Sequence, residues 1–251
     1  VIAFIVPAHN EEHLIARTLQ SIHESARLVG EQYAVIVAND ASTDRTVAIA
    51  QQCGARVVSI ESRQIAAARN AGASAALAMP DVSMLVFVDA DTSINAATLR
   101  AALKAIERGA AGGGADVEFD GQIPHWADVM LRILRVIFRA LRWSGGCFIF
   151  CRRDAFQATG GWDETVFAAE ELYMAQALKR SGPFVVLREM VMTSGRKLRN
   201  HSAREIITVL FRIGFSGRRA LKSRKALYLW YGPRELSGDV AEPALNGLIK
   251  R

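Results

Sequence analysis

Cysteine is scarce: Cys53, Cys147 and Cys151 are the three in 251 residues. A number this small and odd excludes a disulfide scaffold and makes a reducing, cytosolic setting the default expectation. Cys147 and Cys151 stand four apart on an expected strand, hence on one face. No second Cys/His pair sits at zinc spacing, so core packing is expected of them. Long apolar runs are missing too. None approaches the roughly 18–20 residues of a membrane span. The apolar start Val1–Val6 stops at Pro7 and has no basic residue before it, unlike a signal peptide. The first residue is Val1, not Met, so the numbering is expected to begin inside a longer or trimmed chain. No G-x-G-x-x-G follows an apolar run, which argues against a dinucleotide-binding dehydrogenase.

Hydrophobic residues make up 51% of the chain and charged residues 22%. That composition excludes intrinsic disorder, and a chain of this length buries a core without staples. The net charge of +6 is unevenly placed. Between Arg196 and Lys225 there are ten Lys/Arg and one acid, Glu205, whereas the rest of the chain carries 21 basic and 24 acidic residues. A mildly acidic body with a basic C-terminal stretch points to a local anionic partner rather than a coat for nucleic acid. Only Tyr228, Trp230 and Tyr231 follow the basic run, and no nucleic-acid motif is present, so nucleic acid is not the expected partner.

Apolar runs of strand length occur at Ile2–Val6, Tyr33–Ala38, Arg56–Ile60 and Met84–Val88. Helix-like stretches follow at Glu11–Ser25, Thr43–Gln52, Ile65–Leu77 and Ala96–Arg108. This alternation predicts an α/β fold, a mostly parallel sheet with helices on both faces. Ligands of such sheets bind beyond the carboxyl ends of the strands. Three of those ends are polar: Pro7-Ala8-His9-Asn10-Glu11-Glu12, Asn39-Asp40-Ala41-Ser42-Thr43-Asp44 and Asp89-Ala90-Asp91-Thr92. Each alone reads first as a helix cap; together they mark one crevice. The run Gly112-Gly113-Gly114 reads as a flexible turn leading into a strand at Ala115–Phe119. An amphipathic helix is expected at Trp126–Trp143, with Arg132, Arg135, Arg139 and Arg142 opposite its apolar stripe. Such a helix either packs on the sheet with its arginines in water or lies in a membrane interface. A strand at Cys147–Cys151, a turn at Gly160-Gly161-Trp162, a helix at Ala168–Arg180 and a strand at Phe184–Leu187 follow. Basic amphipathic helix is expected from Ser202.

Asp89-Ala90-Asp91 is the sharpest local feature. Two carboxylates one residue apart at the top of a buried strand can hold Mg²⁺ or Mn²⁺ and leave coordination positions for substrate phosphates. Such an ion neutralises charge on a diphosphate leaving group.

Five motifs occur in order: IVPAHNEE (5–12), VIVANDASTDRT (35–46), ARNAG (68–72), VFVDADT (86–92) and GGWDETVFAAEELYMAQALKRSG (160–182). Together they resemble a family 2 glycosyltransferase of the GT-A fold. The resemblance implies a metal-dependent enzyme (Mn²⁺ or Mg²⁺) that moves a sugar from a UDP- or GDP-sugar to an acceptor hydroxyl, with inversion. It implies a GT-A domain over residues 1–195, with a Rossmann-like nucleotide-sugar half at 1–110 and an acceptor half at 111–195, and a basic helical extension at 196–251. Pro7, Ala8, His9 and Glu11 would line the base and ribose pocket, with Ala90 beside it. Asp40 would hydrogen-bond the base, and Arg69 would lie beside the nucleotide or diphosphate. Asp89 would touch ribose or metal, with Asp91 the main metal ligand. The Glu170-Glu171 pair stands where the family usually has Glu-Asp, and the second of that pair is the general base in inverting members. Glu171 is one methylene longer than the usual Asp, and Tyr173 holds a position that is commonly acidic. These departures leave the choice between Glu170 and Glu171 open; an acidic first turn of a helix is the alternative reading of the pair.

His201 is a candidate third metal ligand, with a solvated loop the alternative. His13, His23 and His125 are expected at the surface. The acceptor is a sugar or a lipid-linked molecule, and an anionic membrane surface is a further expected partner, with the protein peripheral at the inner face of the membrane. The alternatives are a sugar-1-phosphate nucleotidyltransferase, disfavoured by Pro7-Ala8-His9-Asn10 in place of a glycine-rich basic loop, and a non-catalytic lipid- or anion-binding module.

Overall fold

In the computed structural model, which describes residues 1–196, Arg199 and Thr208, the four expected apolar runs form parallel strands. They are β1 (Ile2–Ala8), β2 (Tyr33–Asp40), β3 (Arg56–Ile60) and β4 (Met84–Val88), with crossover helices α1 (Ile15–Val29), α2 (Thr46–Gln52) and α3 (Ile65–Leu77). β1 pairs with β2 on one side and β4 on the other, and β3 pairs outside β2, all parallel. Then come β5 (Thr92–Ser93), α4 (Ala96–Glu107), β6 (Gly112–Phe119), α5 (His125–Leu141), β7 (Phe148–Arg152), α6 (Arg153–Thr159), α7 (Glu170–Leu178) and β8 (Phe184–Thr193). The described strands make one eight-stranded sheet in the order β3-β2-β1-β4-β7-β6-β8-β5. β7 runs antiparallel to both β4 and β6, while β8 returns parallel to β6.

Alternation along β1 divides the core. Ile2, Phe4 and Val6 face Ile15, Leu19 and Ile22 of α1 and Leu99 and Ala102 of α4. Ala3 and Ile5 face Ala66, Ala73 and Ala76 of α3, and that layer continues into Phe156 of α6 and Leu178 of α7. Gly72 lets α3 sit directly on β1, because a Cβ there would collide with the side chain of Ile5. Both faces of the sheet are therefore covered, as the contiguous apolar strands require.

Several elements differ from expectation for identifiable reasons. Helix α1 starts at Ile15, not Glu11, because the N–H groups of Glu11 and Glu12 are bound by Thr46 Oγ1 at 2.8 Å and Asp44 Oδ2 at 3.1 Å. It runs on to Gly30, whose φ of 83° caps it. Gly112–Gly114 form strand rather than turn. A Cβ on Gly112 would lie 2.5 Å from the carbonyl oxygen of Phe150, and one on Gly113 would lie 2.6 Å from the Phe150 ring. Glycine here permits close strand approach. Strand β8 extends past Leu187 to Thr193 through a register shift opposite Ala115/Asp116. Helix α6 was not expected. It ends at Gly160, with φ of 78°, where a turn was expected. His23 is not a surface residue. It is half-buried, bonded to Tyr33 Oη at 2.9 Å and to the carbonyl of Cys53 at 2.9 Å. Cys147 precedes β7, so it does not share a strand with Cys151; all three cysteines are free thiols, and burial pushes Cys151 up.

The largest departure is α5. It overturns the expectation that the apolar stripe packs on the sheet with the arginines in water. Arg135 and Arg139 turn inward to the buried carboxylate of Asp116, while Val129, Ile133, Val136, Ile137 and Leu141 are exposed. Among the described residues, no helix is long and apolar enough to cross a membrane. His201 and nearly all of the basic run lie outside the described residues.

Candidate functional site

The polar ends of β1, β2 and β4 converge beyond the sheet, as the strand rule requires. Pro7 and Ala8 close β1 in register with Ala38 and Asn39 of β2. The next residues are stitched to the β2 loop. His9 Nδ1 lies 2.6 Å from the carbonyl of Asp40, Asn10 N–H donates to Ser42 Oγ at 3.0 Å, and Asn10 Oδ1 accepts from Thr43 N–H at 2.8 Å. Asn10 and Ala41 take left-handed φ of 51° and 55°, which the paired loops hold in place. Asp40 is buried, and its carboxylate accepts three backbone N–H groups, from Ser62 at 2.8 Å and from Arg63 and Gln64 at 2.6 Å each. It thereby fixes the entry to α3. A carboxylate offers about four acceptor sites, so a further contact would use the remaining one.

Arg69 is the hub. It projects from α3, is 1% exposed, and donates from Nη1 to Glu170 Oε1 at 2.7 Å and from Nη2 to Asp89 Oδ1 and the carbonyl of Gly146, each at 2.9 Å. Its guanidinium lies 4.4 Å over the Trp162 ring. Burial opposes its charge, and Asp89, Glu170 and Glu171 outweigh that opposition, holding its pKa above the ordinary arginine value. Its neighbour Asn70 clamps Trp162 from both sides: Nδ2 donates to the Trp162 carbonyl at 3.0 Å, and Oδ1 accepts the Trp162 N–H at 2.8 Å. Gln64 Nε2 donates to the carbonyl of Glu164 at 2.6 Å and that of Val166 at 3.1 Å. One helix of the first half thus positions the whole segment leading to α7.

Glu170 and Glu171 open α7 behind Ala169, whose φ is 61°. The two acids are inequivalent. Glu170 is buried in its pair with Arg69. Glu171 is half-buried and makes no salt bridge of its own among the described residues. Its carboxylate lies against Gly146, where a Cβ would come 3.6 Å from Glu171 Oε2. Burial, then the adjacent Glu170 charge, pushes Glu171 up to about 8.

Asp89 and Asp91 point to different partners. Asp89 joins Arg69, while Asp91 Oδ2 lies 3.2 Å from Arg196 Nη2 and Oδ1 accepts from Thr193 Oγ1 at 3.3 Å. Between them, Ala90 is buried, and its carbonyl accepts from Thr18 Oγ1 at 2.8 Å. Arg196 Nη2 also reaches both oxygens of buried Glu11, at 3.2 and 3.0 Å. Among the described residues no group of three or more His, Cys, Asp or Glu side chains gathers as a metal site. The donors present nevertheless fit a hard divalent ion. They are carboxylate oxygens, and a cationic group, the Arg196 guanidinium, already stands between Glu11 and Asp91. Mg²⁺ and Mn²⁺ need only one or two protein carboxylates when phosphates and water supply the rest.

Gln64, Asn70, Trp162 and Arg196 were not singled out from the sequence. The first three lie in or beside the ARNAG and GGWDE motifs, and the spacing of those motifs carries no sign that they touch. Arg196 was counted only as one charge of the basic run.

The sequence model of glycosyl transferase family 2 matches residues 3–159, more than half of the chain. The chain belongs to glycosyl transferase family 2. No curated protein matches its sequence. Solved structures show the same fold at low identity. S. aureus TarS 1–349 is 20% identical, with a TM-score of 0.61 over 91% of this chain and 77% of that one. The mannosyltransferase PcManGT from Pyrobaculum calidifontis, in complex with GDP-Man and Mn²⁺, is 18% identical, with a TM-score of 0.64 over 90% and 64%. The glucosyl-3-phosphoglycerate synthase of Mycobacterium tuberculosis, in complex with Mn²⁺, UDP and glucosyl-3-phosphoglycerate, is 18% identical, with a TM-score of 0.53 over 94% and 81%. The sheet and crevice of this family 2 glycosyltransferase are thus those of the GT-A fold.

Proposed function

We propose that this glycosyltransferase moves a sugar from a UDP- or GDP-sugar to an acceptor hydroxyl with inversion, using Glu171 as general base. The observation that carries the reading is the inequality of the two glutamates. Glu170 is committed to Arg69 at 2.7 Å, whereas Glu171 has a pKa pushed up to about 8, near the operating range a base needs. Glu171 takes the acceptor O–H proton as the acceptor oxygen bonds to the anomeric carbon. The bond from that carbon to the diphosphate oxygen breaks, and the nucleoside diphosphate leaves with the electron pair. Pro7, Ala8, His9, Glu11, Asp40, Asp89 and Ala90 are the proposed nucleotide and ribose contacts. Arg69, the further proposed neighbour of the nucleotide or diphosphate, joins Glu170 to Asp89. Asp91, with Asp89, is the proposed holder of Mn²⁺ or Mg²⁺, which when bound supplies positive charge to the leaving diphosphate. TarS has been solved with UDP and with UDP-GlcNAc, and PcManGT with GDP-Man and Mn²⁺, which supports this donor class.

The proposed division is a nucleotide-sugar half at 1–110, an acceptor half at 111–195 and a basic extension at 196–251. The basic run between Arg196 and Lys225 would draw the enzyme to an anionic surface at the inner face of the membrane, where a lipid-linked acceptor would meet it. A thermal-shift panel of UDP- and GDP-sugars with Mn²⁺ tests the donor reading. The matching donor at a hundred times its Kd should add about 2.7 kcal/mol of stability. Absence of a shift with every nucleotide sugar would overturn it.

A further inference from the structure

We propose that α5 and the arginine cavity at its C-terminal end form a docking site for an anionic phospholipid surface. This deepens the membrane reading above by placing the contact on described residues instead of on the basic run alone.

The apolar side of α5 faces outward. At 100° per residue, Val136, Val129, Ile133, Ile137 and Leu141 sweep an arc of about 140°, and Ile133 and Val136 are 57% and 69% exposed. Ala127 is the one residue of the helix that is fully buried. A contiguous apolar stripe of this kind on a described surface marks an interaction face.

The chemistry beside the stripe selects the partner. Arg139, Arg142 and Arg188 ring a cavity of about 520 Å³ floored by Pro183–Val186. Arg139 is shared with Asp116, whereas Arg142 and Arg188 make no salt bridge among the described residues. Arg132 flanks the same stripe from the helix, 75% exposed and paired with Asp128. Lys179 adds a further cation, its Nζ donating to the Leu141 carbonyl at 3.1 Å. Guanidinium groups bind phosphate oxygens through paired N–H donors. An apolar stripe with arginines at its edge and end matches the boundary between acyl chains and phosphate headgroups, where an interfacial helix lies. The chain's own basic run is a poorer cover. Residues 196–225 carry ten basic groups and one acid, the same sign as the arginines they would face. The cavity lies along β8 from Phe184 to Arg188, whereas Thr193, which meets Asp91, ends that strand; at about 3.3 Å per residue it lies about 17 Å along the strand from Arg188 and about 30 Å from Phe184. A membrane bound at α5 therefore leaves the crevice open.

Co-sedimentation of the full chain with phosphatidylcholine vesicles, with and without phosphatidylglycerol, tests this. Wild type should bind only the anionic vesicles, and salt should weaken that binding. The triple change Ile133→Ser, Val136→Ser, Ile137→Ser should lower binding at least tenfold. Arg142→Ser with Arg188→Ser should lower it about fivefold per arginine. All these side chains lie away from the crevice, so donor hydrolysis and thermal midpoint should be unchanged. Undiminished vesicle binding by both variants would overturn the α5 site while leaving the basic run as the attractor. No wild-type binding, or equal binding to both vesicle types, would overturn both readings. A self-association lost in the triple variant without lipid would make α5 a contact between copies, and would also overturn the proposal.

Discussion

Two carboxylates in different halves of the chain are shifted in opposite directions. Asp44, in the loop after β2, is opposed by burial, yet hydrogen bonds from the Thr46 hydroxyl and from the N–H groups of Thr46 and Glu12 hold its carboxyl below the usual range. Glu171, at the start of α7, is pushed up to about 8 by burial and by the Glu170 charge. The loop after β2 thus builds its own support: Asp44 accepts from Glu12 and Thr46 close by, and Asp40 accepts three backbone N–H groups. The α7 side borrows its support from elsewhere, through Arg69 on α3. An acid held by fixed dipoles stays ionised and serves structure. An acid placed beside another acid, with one cation between them already committed, is left with a proton to give and take.

The largest effect that would sharpen this contrast is on turnover. Glu171→Gln should lower kcat by about 10²–10⁴-fold with donor affinity nearly intact, and Glu170→Gln should do less to proton transfer. With Glu171 as the proposed base, its working form is the carboxylate, so wild-type kcat/KM should rise with pH and level off above about 8. Stability should move the other way. A carboxyl whose pKa is raised by folding contributes most below its unfolded pKa, and that contribution is lost as pH rises from about 4.5 through about 8. Thermal midpoints across that window should fall in wild type and flatten in Glu171→Gln. A reversed order of the two kcat effects would move the base to Glu170.

Next is Arg69→Met. It leaves Glu170 and Asp89 without their shared cation, and removing one partner of a buried pair costs about 3–5 kcal/mol. Denaturant titration of Arg69→Met, Glu170→Gln and the double variant should show strong coupling, because neutralising Glu170 relieves part of the loss. Additive effects would break the comparison, since α7 would then not depend on α3. The smallest effect belongs to the self-supported side. Asp44→Asn should cost about 1 kcal/mol at neutral pH. A lowered pKa adds stability above the unfolded value that is lost on acidification, so the difference from wild type should vanish as pH falls well below about 4.

The same asymmetry governs what could be read in the sequence. The parallel strands β1 to β4 were legible because burial on both faces leaves unbroken apolar runs, and their polar ends named the crevice. The second half was less legible. Gly112–Gly114 looks like a turn unless one knows that Phe150 and Val185 press on both sides. Helix α6 has seven residues, too short for its periodicity to show. Helix α5 was located correctly, but its sidedness depends on Asp116, a residue of another element. At the site, the acids were legible from their motifs, while their partners were not. Arg69 and Glu170 lie 101 positions apart, and nothing local in either motif says that they meet.

That separation bears on how the molecule reaches its native state. The Glu11–Arg196 contact spans 185 positions and the Arg69–Glu170 contact 101. The entropy of closing a chain segment grows with its length, and contacts of high sequence separation slow folding. The strands β1 to β4 gather within the first 88 residues, so that half can assemble while the ribosome is still making the rest. Asp89 meets Arg69 within that half, but Glu11 and Asp91 acquire Arg196, and Arg69 acquires Glu170, only when the chain returns from its far end. The proposed catalytic constellation is therefore completed late in synthesis, and a product truncated before Glu170 would carry the crevice without its full charge balance.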